Sequence, residues 1–296
     1  MSMQIGDISI AEIVAQTKHL ELTARRLVND SLQSDYKSSF RGRGMEFDEV
    51  RAYSLGDDVR DIDWNVTARM NEPFIKTFIE ERQLTTYFIA DISASEDFGS
   101  RISKRAIMAE ISALLGFTAF FSNDRIGMLL FSDNIEKVVP PTHSHSHLLR
   151  IIRDIYYFQG KSRLTNISQS LHSVSSMLKK KSIIFLLSDF FDKNYETALA
   201  KLARRHEVIP IVIYDKIEHN FTSMLHLPIV TELEDIETGI SKLVSLQHHS
   251  ITNNSSFVEN YRKTFRNLGL EYAEINADTD YVKTIDILLR KHARRF

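Results

Sequence analysis

A chain of 296 residues with 43% hydrophobic and 26% charged side chains has room for one large α/β domain plus an extension, or for two modest domains. The formal charge of −2 gives no overall pull toward nucleic acid or anionic lipid, and the lack of cysteine excludes disulfides, thiolate zinc sites and a cysteine nucleophile together. Met1 to Asp7 shows neither the basic start nor the apolar core of a secretory signal, and the most apolar stretch, Ala106 to Phe121, contains Glu110 and is shorter than the roughly 20 residues that span a bilayer. A cytoplasmic protein without membrane insertion or nucleic-acid binding is therefore expected.

In chain order, Ile10, Ile13, Val14, Leu20, Leu27 and Val28 fall near helical spacing and predict an opening amphipathic helix. Phe40-Arg41-Gly42-Arg43-Gly44 breaks that pattern and begins a charge-rich, irregular segment to about Gln83. Within it Pro73 to Phe78 alternates like a half-buried strand. From Leu84 the rhythm becomes α/β. Thr85 to Ala90 is a continuous β-prone run of the kind buried on both faces of a parallel sheet. A helix over 103–121 follows, then strands at Arg125–Phe131 and Ile135–Val139, and helices near 146–157 and 166–179. Ser182–Leu187 and Val208–Tyr214 predict strands around a helix at 194–204. Ile229–Leu233 and Ser241–Ser245 flank Glu237-Thr238-Gly239, which predicts a β-hairpin insertion at about 217–250. A helix near 255–267, a strand at Glu271–Ile275 and a helix at 279–293 complete the chain. This alternation predicts a doubly wound, mainly parallel α/β sheet over 84–296, preceded by a helix and β-rich extension over 1–83.

Ligands of open α/β sheets sit beyond the carboxyl ends of the strands. There Asp91, Ser93 and Ser95 follow the first strand with alternate side chains able to converge. Asp189 follows the strand ending at Leu187, and Thr165 lies in a loop ahead of a helix. Two carboxylates and three hydroxyls, with no nitrogen or sulfur donor, suit a hard cation such as Mg²⁺, or Mn²⁺.

Asp91-Ile92-Ser93-Ala94-Ser95, the later Thr165 and the strand-end Asp189 resemble the metal-ion-dependent adhesion site of von Willebrand factor A domains, although Leu164 stands where those domains carry glycine. Asp124 to Gly127, Phe131 to Asp133 and Val138 to Pro141 resemble that fold's second and third strands. Phe40 to Phe47, Tyr53 to Trp64 and Thr67-Ala68-Arg69 are similar to the bacterial domain-of-unknown-function family 58, and the likeness covers nearly the whole chain. Members of that family are typically encoded beside MoxR-type AAA+ ATPases. The resemblance implies a non-enzymatic, metal-dependent adaptor that works with such an ATPase on a client protein, an acidic side chain of the partner completing the ion's coordination.

The competing class is a Mg²⁺-dependent hydrolase using the same pocket, and a third is a scaffold whose site stays empty. Phosphotransferases that begin from a strand-end aspartate use Asp-x-Asp, whereas Ser93 holds the second place here and cannot serve as acid or base near neutral pH. Gly160-Lys161-Ser162 looks like the end of a P-loop, but Ile155 occupies the place of its first glycine. His143, His145 and His147 alternate and could take Zn²⁺ or Ni²⁺ from an extended strand; a solvated loop leading into a helix is the expectation. Asp57, Asp58, Asp61 and Asp63 lack the glycine and glutamate of a calcium loop, so helix capping and ion pairs with Arg60 are expected, with Trp64 as a packing residue.

Overall fold

The computed structural model describes residues 30–40, 46–54, 57–70, 72–79, 83–97, 102–215, 230–234, 241–245 and 255–293, with 18, 19, 21, 22, 25, 26 and 28 nearer the N-terminus. The chain separates into two compact units, a smaller one of Arg41–Gln83 and a larger one of Met1–Phe40 with Leu84–Phe296.

In the smaller unit, β1 (Glu46–Ala52) pairs antiparallel with β2 (Phe74–Ile79), and the register shifts between Phe47 and Glu49. A 3₁₀ turn (Val59–Asp61) and α1 (Trp64–Met70) lie between them. Asp58 caps the turn and pairs with Arg60 at 2.7 Å, while Asp63 Oδ1 accepts the N–H groups of Asn65 and Val66 at the start of α1. The expected capping is thus found for Asp58 and Asp63 and the ion pair with Arg60 for Asp58, whereas Asp57 pairs with Arg51 at 2.7 Å instead. Trp64 is not a packing residue: its side chain is 68% exposed, because α1 buries none of its residues.

The larger unit is built on a six-stranded sheet. Its strands are β3 (Thr85–Asp91), β4 (Arg125–Phe131), β5 (Ile135–Thr142), β6 (Ile183–Ser188), β7 (Glu207–Ile213) and, after an intervening pair, β10 (Ala273–Ile275). The order across the sheet is β10-β7-β6-β3-β4-β5, parallel throughout except for β5, which runs antiparallel to β4. Pro140 and Pro141 fall on that outer strand, where a missing N–H costs least. The central strands are buried on both faces, so alternate residues feed two cores. Phe88 and Ala90 join one with Phe185 and Leu187, and Tyr87 and Ile89 join the other with Ile184 and Leu186.

Helices cover each face. On the first lie α2 (Lys104–Phe121) and α3 (His145–Tyr157), which contribute Ile107, Ile111, Leu148 and Ile152. On the second lie α4 (Ile167–Met177), α5 (Glu196–Ala203) and α6 (Ser255–Leu268), which contribute Leu171, Leu199 and Phe265. α7 (Tyr281–Ala293) closes the first core with Ile285 and Leu289. The pair β8 (Val230–Glu234) and β9 (Ser241–Ser245) forms the antiparallel ladder of the expected hairpin; the turn between them lies outside the described residues.

Two expectations concern the N-terminus. Most of the helix expected over 10–28 lies outside the described residues, and only 18–19, 21–22 and 25–26 are recorded as helical. The second concerns residues 1–83 as one region. A further helix, α0 (Asp30–Phe40), belongs with the sheet: Tyr36 Oη donates to Asp124 Oδ2 at 2.8 Å, and Ser39 Oγ donates to the Leu289 carbonyl at 2.5 Å. The unit boundary accordingly falls after Phe40 and again at Leu84, since burying Leu32 and Tyr36 ties this helix to the larger core.

Candidate metal centre

The chain runs from β3 to β4 and β5 on one side, then returns to build β6, β7 and β10 on the other. The order therefore reverses between β3 and β6, and their carboxyl ends flank the crevice where ligands of such sheets bind. Ala90 lies opposite Leu187 in the parallel register, which brings the ends carrying Asp91 and Ser188-Asp189 together.

Beyond β3, the Ile92 N–H bonds to the Phe131 carbonyl at 2.8 Å and prolongs the ladder by one link. Asp91 then folds the chain, its Oδ1 accepting the Ser93 N–H at 3.0 Å, the two-residue turn that aspartate favours. Ser93 Oγ lies 3.2 Å from Ser95 Oγ, and a 3₁₀ turn over Ala94–Asp97 points Glu96 inward. A matching turn follows β6. Asp189 Oδ1 accepts the Phe191 N–H at 3.1 Å, and Phe190 takes a left-handed φ of 57°. That conformation is costly for a bulky residue. It is held here by the buried ring of Phe190 among Tyr195, Tyr261 and Phe265. Ser188 Oγ donates to Asp91 Oδ2 at 3.0 Å and ties the two loops to each other.

Three carboxylates converge. One oxygen each of Asp91, Glu96 and Asp189 lie within 4.8 Å of one another, and all three residues are buried. Glu96 Oε1 accepts the Asp189 N–H at 3.0 Å, while Oε2 is buried with no hydrogen-bond partner among the described residues. Lys104, in the first turn of α2, donates from Nζ to Asp189 Oδ2 at 2.8 Å, with both side chains almost fully buried. Its neighbour Arg105 reaches the Ile92 carbonyl at 3.0 Å and also the Phe158 carbonyl, pinning the loop after β3. Burial, and then the negative charge of Asp189, push the Asp91 carboxyl up to about 7. Glu96 is driven well above the carboxylate range by burial first and Asp189 second, with Lys104 opposing.

Of the residues expected at the site, Asp91, Ser93, Ser95 and Asp189 are brought together. Thr165 lies on a loop fastened beside them. Its loop is fastened to the first by the Ala94 N–H bonding to the Arg163 carbonyl at 3.1 Å, and Glu136 Oε1 accepts the N–H groups of Lys161 and Ser162. Thr165 itself is half-buried and lines a polar cleft of about 570 Å³ with Asn166, Gln169, His172, Asp192 and Lys193. Asp91, Ser93, Ser95 and Asp189 thus lie together with the loop of Thr165 bonded alongside, and Glu96, Lys104 and Ser188 join them from outside the expected set. Lys104 had a visible signal, because it shares the apolar stripe of Ile107, Met108 and Ile111, and a lysine is seldom buried without a partner. Glu96 had none, since nothing in its spacing distinguishes it from the exposed Asp97 beside it.

Of the three histidines expected in a solvated loop leading into a helix, His143 lies exposed in that loop, while His145 and His147 stand in the first turn of α3. His143 stacks on Phe120 at 4.6 Å between ring centroids and bonds to the Asp124 carbonyl at 3.0 Å. His145 opens α3 with Nε2 2.9 Å from Glu21 Oε1, and His147 Nε2 lies 3.1 Å from the Ile126 carbonyl. They brace the outer strand and the start of α3.

Residues 49–264 match the model of a family described as "Protein of unknown function DUF58". Two uncharacterized mycobacterial proteins, Rv1480 of Mycobacterium tuberculosis and Mb1516 of Mycobacterium bovis, are each 28% identical over 294 residues, covering 96% of this chain and 91% of the relative. Among solved structures, the conserved hypothetical protein BatB from Bacteroides thetaiotaomicron aligns with 71% of this chain and 99% of its own, at 14% identity and a TM-score of 0.44. The PilB minor pilin from Streptococcus sanguinis aligns with 76% of this chain and 64% of its own, at 11% identity and a TM-score of 0.39. At those scores the likeness carries no argument. With a family match across well over half its length, the chain belongs to the DUF58 family.

Proposed function

We propose that the chain is a non-enzymatic adaptor of von Willebrand factor A type that binds a partner protein through a divalent ion held at the β3–β6 crevice. The observation that carries this reading is the convergence of the Asp91, Glu96 and Asp189 carboxylates, one of which, that of Glu96, keeps a buried oxygen without a hydrogen-bond partner among the described residues. Such an oxygen costs free energy unless a cation, a proton or water reaches it. The donor set is all oxygen, which suits Mg²⁺ or Mn²⁺. Asp91, Ser93, Ser95 and Asp189 would hold the ion, with Thr165 beside it on a loop already bonded to the Asp91 loop. When bound, a divalent ion supplies a positive charge that an acidic side chain of a partner can ligate. The chain's own part is to set the oxygens. Ser188 and the Ser93 N–H orient the Asp91 carboxylate, and the Phe191 N–H and Lys104 orient that of Asp189.

The same contacts disfavour the hydrolase reading. Both Asp91 oxygens accept hydrogen bonds and the residue is fully buried, which is poor placement for a nucleophile or a general base that must meet a substrate. A MoxR-type AAA+ ATPase is the partner the resemblance suggests, acting with the adaptor inside the cell on a client protein.

Affinity capture from a lysate that contains such an ATPase tests the reading. The tagged wild-type chain should retain the ATPase, identified by mass spectrometry, in Mg²⁺. It should release the ATPase in excess chelator and fail to retain it as Asp91→Ala. Retention that ignores both chelator and the substitution would contradict the proposal. Metal-dependent phosphoester turnover lost in Asp189→Ala would replace it with the hydrolase.

A further inference from the structure

The site contains more charged groups than its two aspartates. Three carboxylates and one ammonium lie together, which leaves two negative charges when all are ionised. Lys104 by itself would weaken a cation site, because its Nζ already occupies Asp189 Oδ2 at 2.8 Å and places a buried positive charge beside the cluster. Glu96 offsets that charge. Its Oε1 accepts the Asp189 N–H, its Oε2 is buried with no hydrogen-bond partner among the described residues, and its carboxylate belongs to the same cluster. Of the groups that can satisfy such an oxygen, a divalent cation alone removes both residual charges at once. We infer that Glu96 is a further ion ligand of this centre and that Lys104 is its built-in counter-charge, the pair matching the cluster to a doubly charged cation. This rests on the metal reading above, and it assigns roles to two residues that lie outside the Asp-x-Ser-x-Ser motif.

The pair also accounts for the placement of Lys104 on the apolar stripe of α2. A buried ammonium needs a carboxylate partner, and a carboxylate that is both ion ligand and lysine partner is divided between the two. Glu96 supplies the carboxylate that Lys104 takes from the ion. The competing bland role, a glutamate kept neutral by a proton, makes a different prediction, since glutamine is a close mimic of the protonated acid.

Binding of Mn²⁺ to the full-length chain, read from the loss of the free-ion paramagnetic resonance signal at pH 8, separates these cases. Glu96→Gln should weaken Mn²⁺ binding about tenfold or more, the scale at which metal sites respond to lost oxygen partners. Lys104→Met should tighten binding several-fold, and Mn²⁺ should raise its melting temperature more than that of the wild type. A tightened site is not something a damaged fold delivers, so the lysine variant decides the matter if Glu96→Gln does not fold. Glu96→Gln within twofold of wild type, with Asp91→Asn inactive in binding, would overturn the role of Glu96 and leave the metal centre standing. Unchanged or weakened binding in Lys104→Met would overturn the counter-charge. Wild-type protein that takes up no Mn²⁺ would remove the metal reading and this inference together.

Discussion

Asp124 shows how a single buried carboxylate shapes the larger unit. It accepts from Tyr36 Oη at 2.8 Å and from the Leu84 N–H at 3.3 Å, which joins α0 to the start of β3. Burial lifts its pKa to about 6, with Tyr36, the Leu84 N–H, His143 and Lys37 pulling the other way. The folded state therefore holds its proton more tightly than the unfolded chain. The sign follows: this group's contribution is full below the unfolded value near 4 and is lost as pH rises through about 6. A shift of about two units corresponds to roughly 3 kcal/mol. Asp124→Asn still accepts the Tyr36 hydrogen bond, so its stability should fall less than the wild type's between pH 4 and 6, by up to about 3 kcal/mol in urea titrations at each pH. Parallel profiles would contradict the assignment. At this scale the sequence was partly legible. Asp91, Ser93, Ser95 and Asp189 could be picked out because strand ends in such sheets face a ligand crevice. Glu96 and Lys104 meet only through the fold, as a 3₁₀ turn and a helix start lie on different sides of a segment that spacing does not bridge.

Elements were legible where their hydrophobic period was strong. The strands at 85–91, 125–131, 183–188 and 207–213 and the long helix at 104–121 lie within a residue or two of expectation, because a strand buried on both faces has few alternatives. α0 and β1 were not foreseen. The buried residues of α0 are Leu32, Tyr36 and Ser39, too few and too polar to stand out as a stripe, and β1 is acidic at Glu46, Asp48 and Glu49. One glycine tests the strand packing. A Cβ on Gly127 of β4 would lie 2.6 Å from Tyr87 Cε1 in β3 and 3.1 Å from the Val139 carbonyl in β5. The carbonyl belongs to a hydrogen-bonded ladder and the ring is nearly buried, so neither yields cheaply. Gly127→Ala should cost about 1–3 kcal/mol, the range for overpacking, and lower the melting temperature accordingly. An unchanged or raised melting temperature would show that the Tyr87 ring turns aside freely.

Over the whole molecule, the family match from 49 to 264 runs through both compact units, and the mycobacterial relatives align over 96% of the chain. The two units thus occur together in related proteins. The break near residue 84 was legible from the onset of the α/β rhythm. The break at Phe40 was legible too, as the loss of helical spacing at Phe40-Arg41-Gly42, but that the helix before it belongs with the sheet shows only in packing, through contacts such as Ser39 to Leu289. On the proposed reading, the crevice between β3 and β6 holds a divalent ion by Asp91 and its neighbours. Calorimetric titration of Mg²⁺ into the intact chain should then show saturable binding in the millimolar to sub-millimolar range, as for a hard cation whose coordination a partner has yet to complete, and loss of that binding in Asp91→Ala. No binding to the wild type, or equal binding to both proteins, would contradict it.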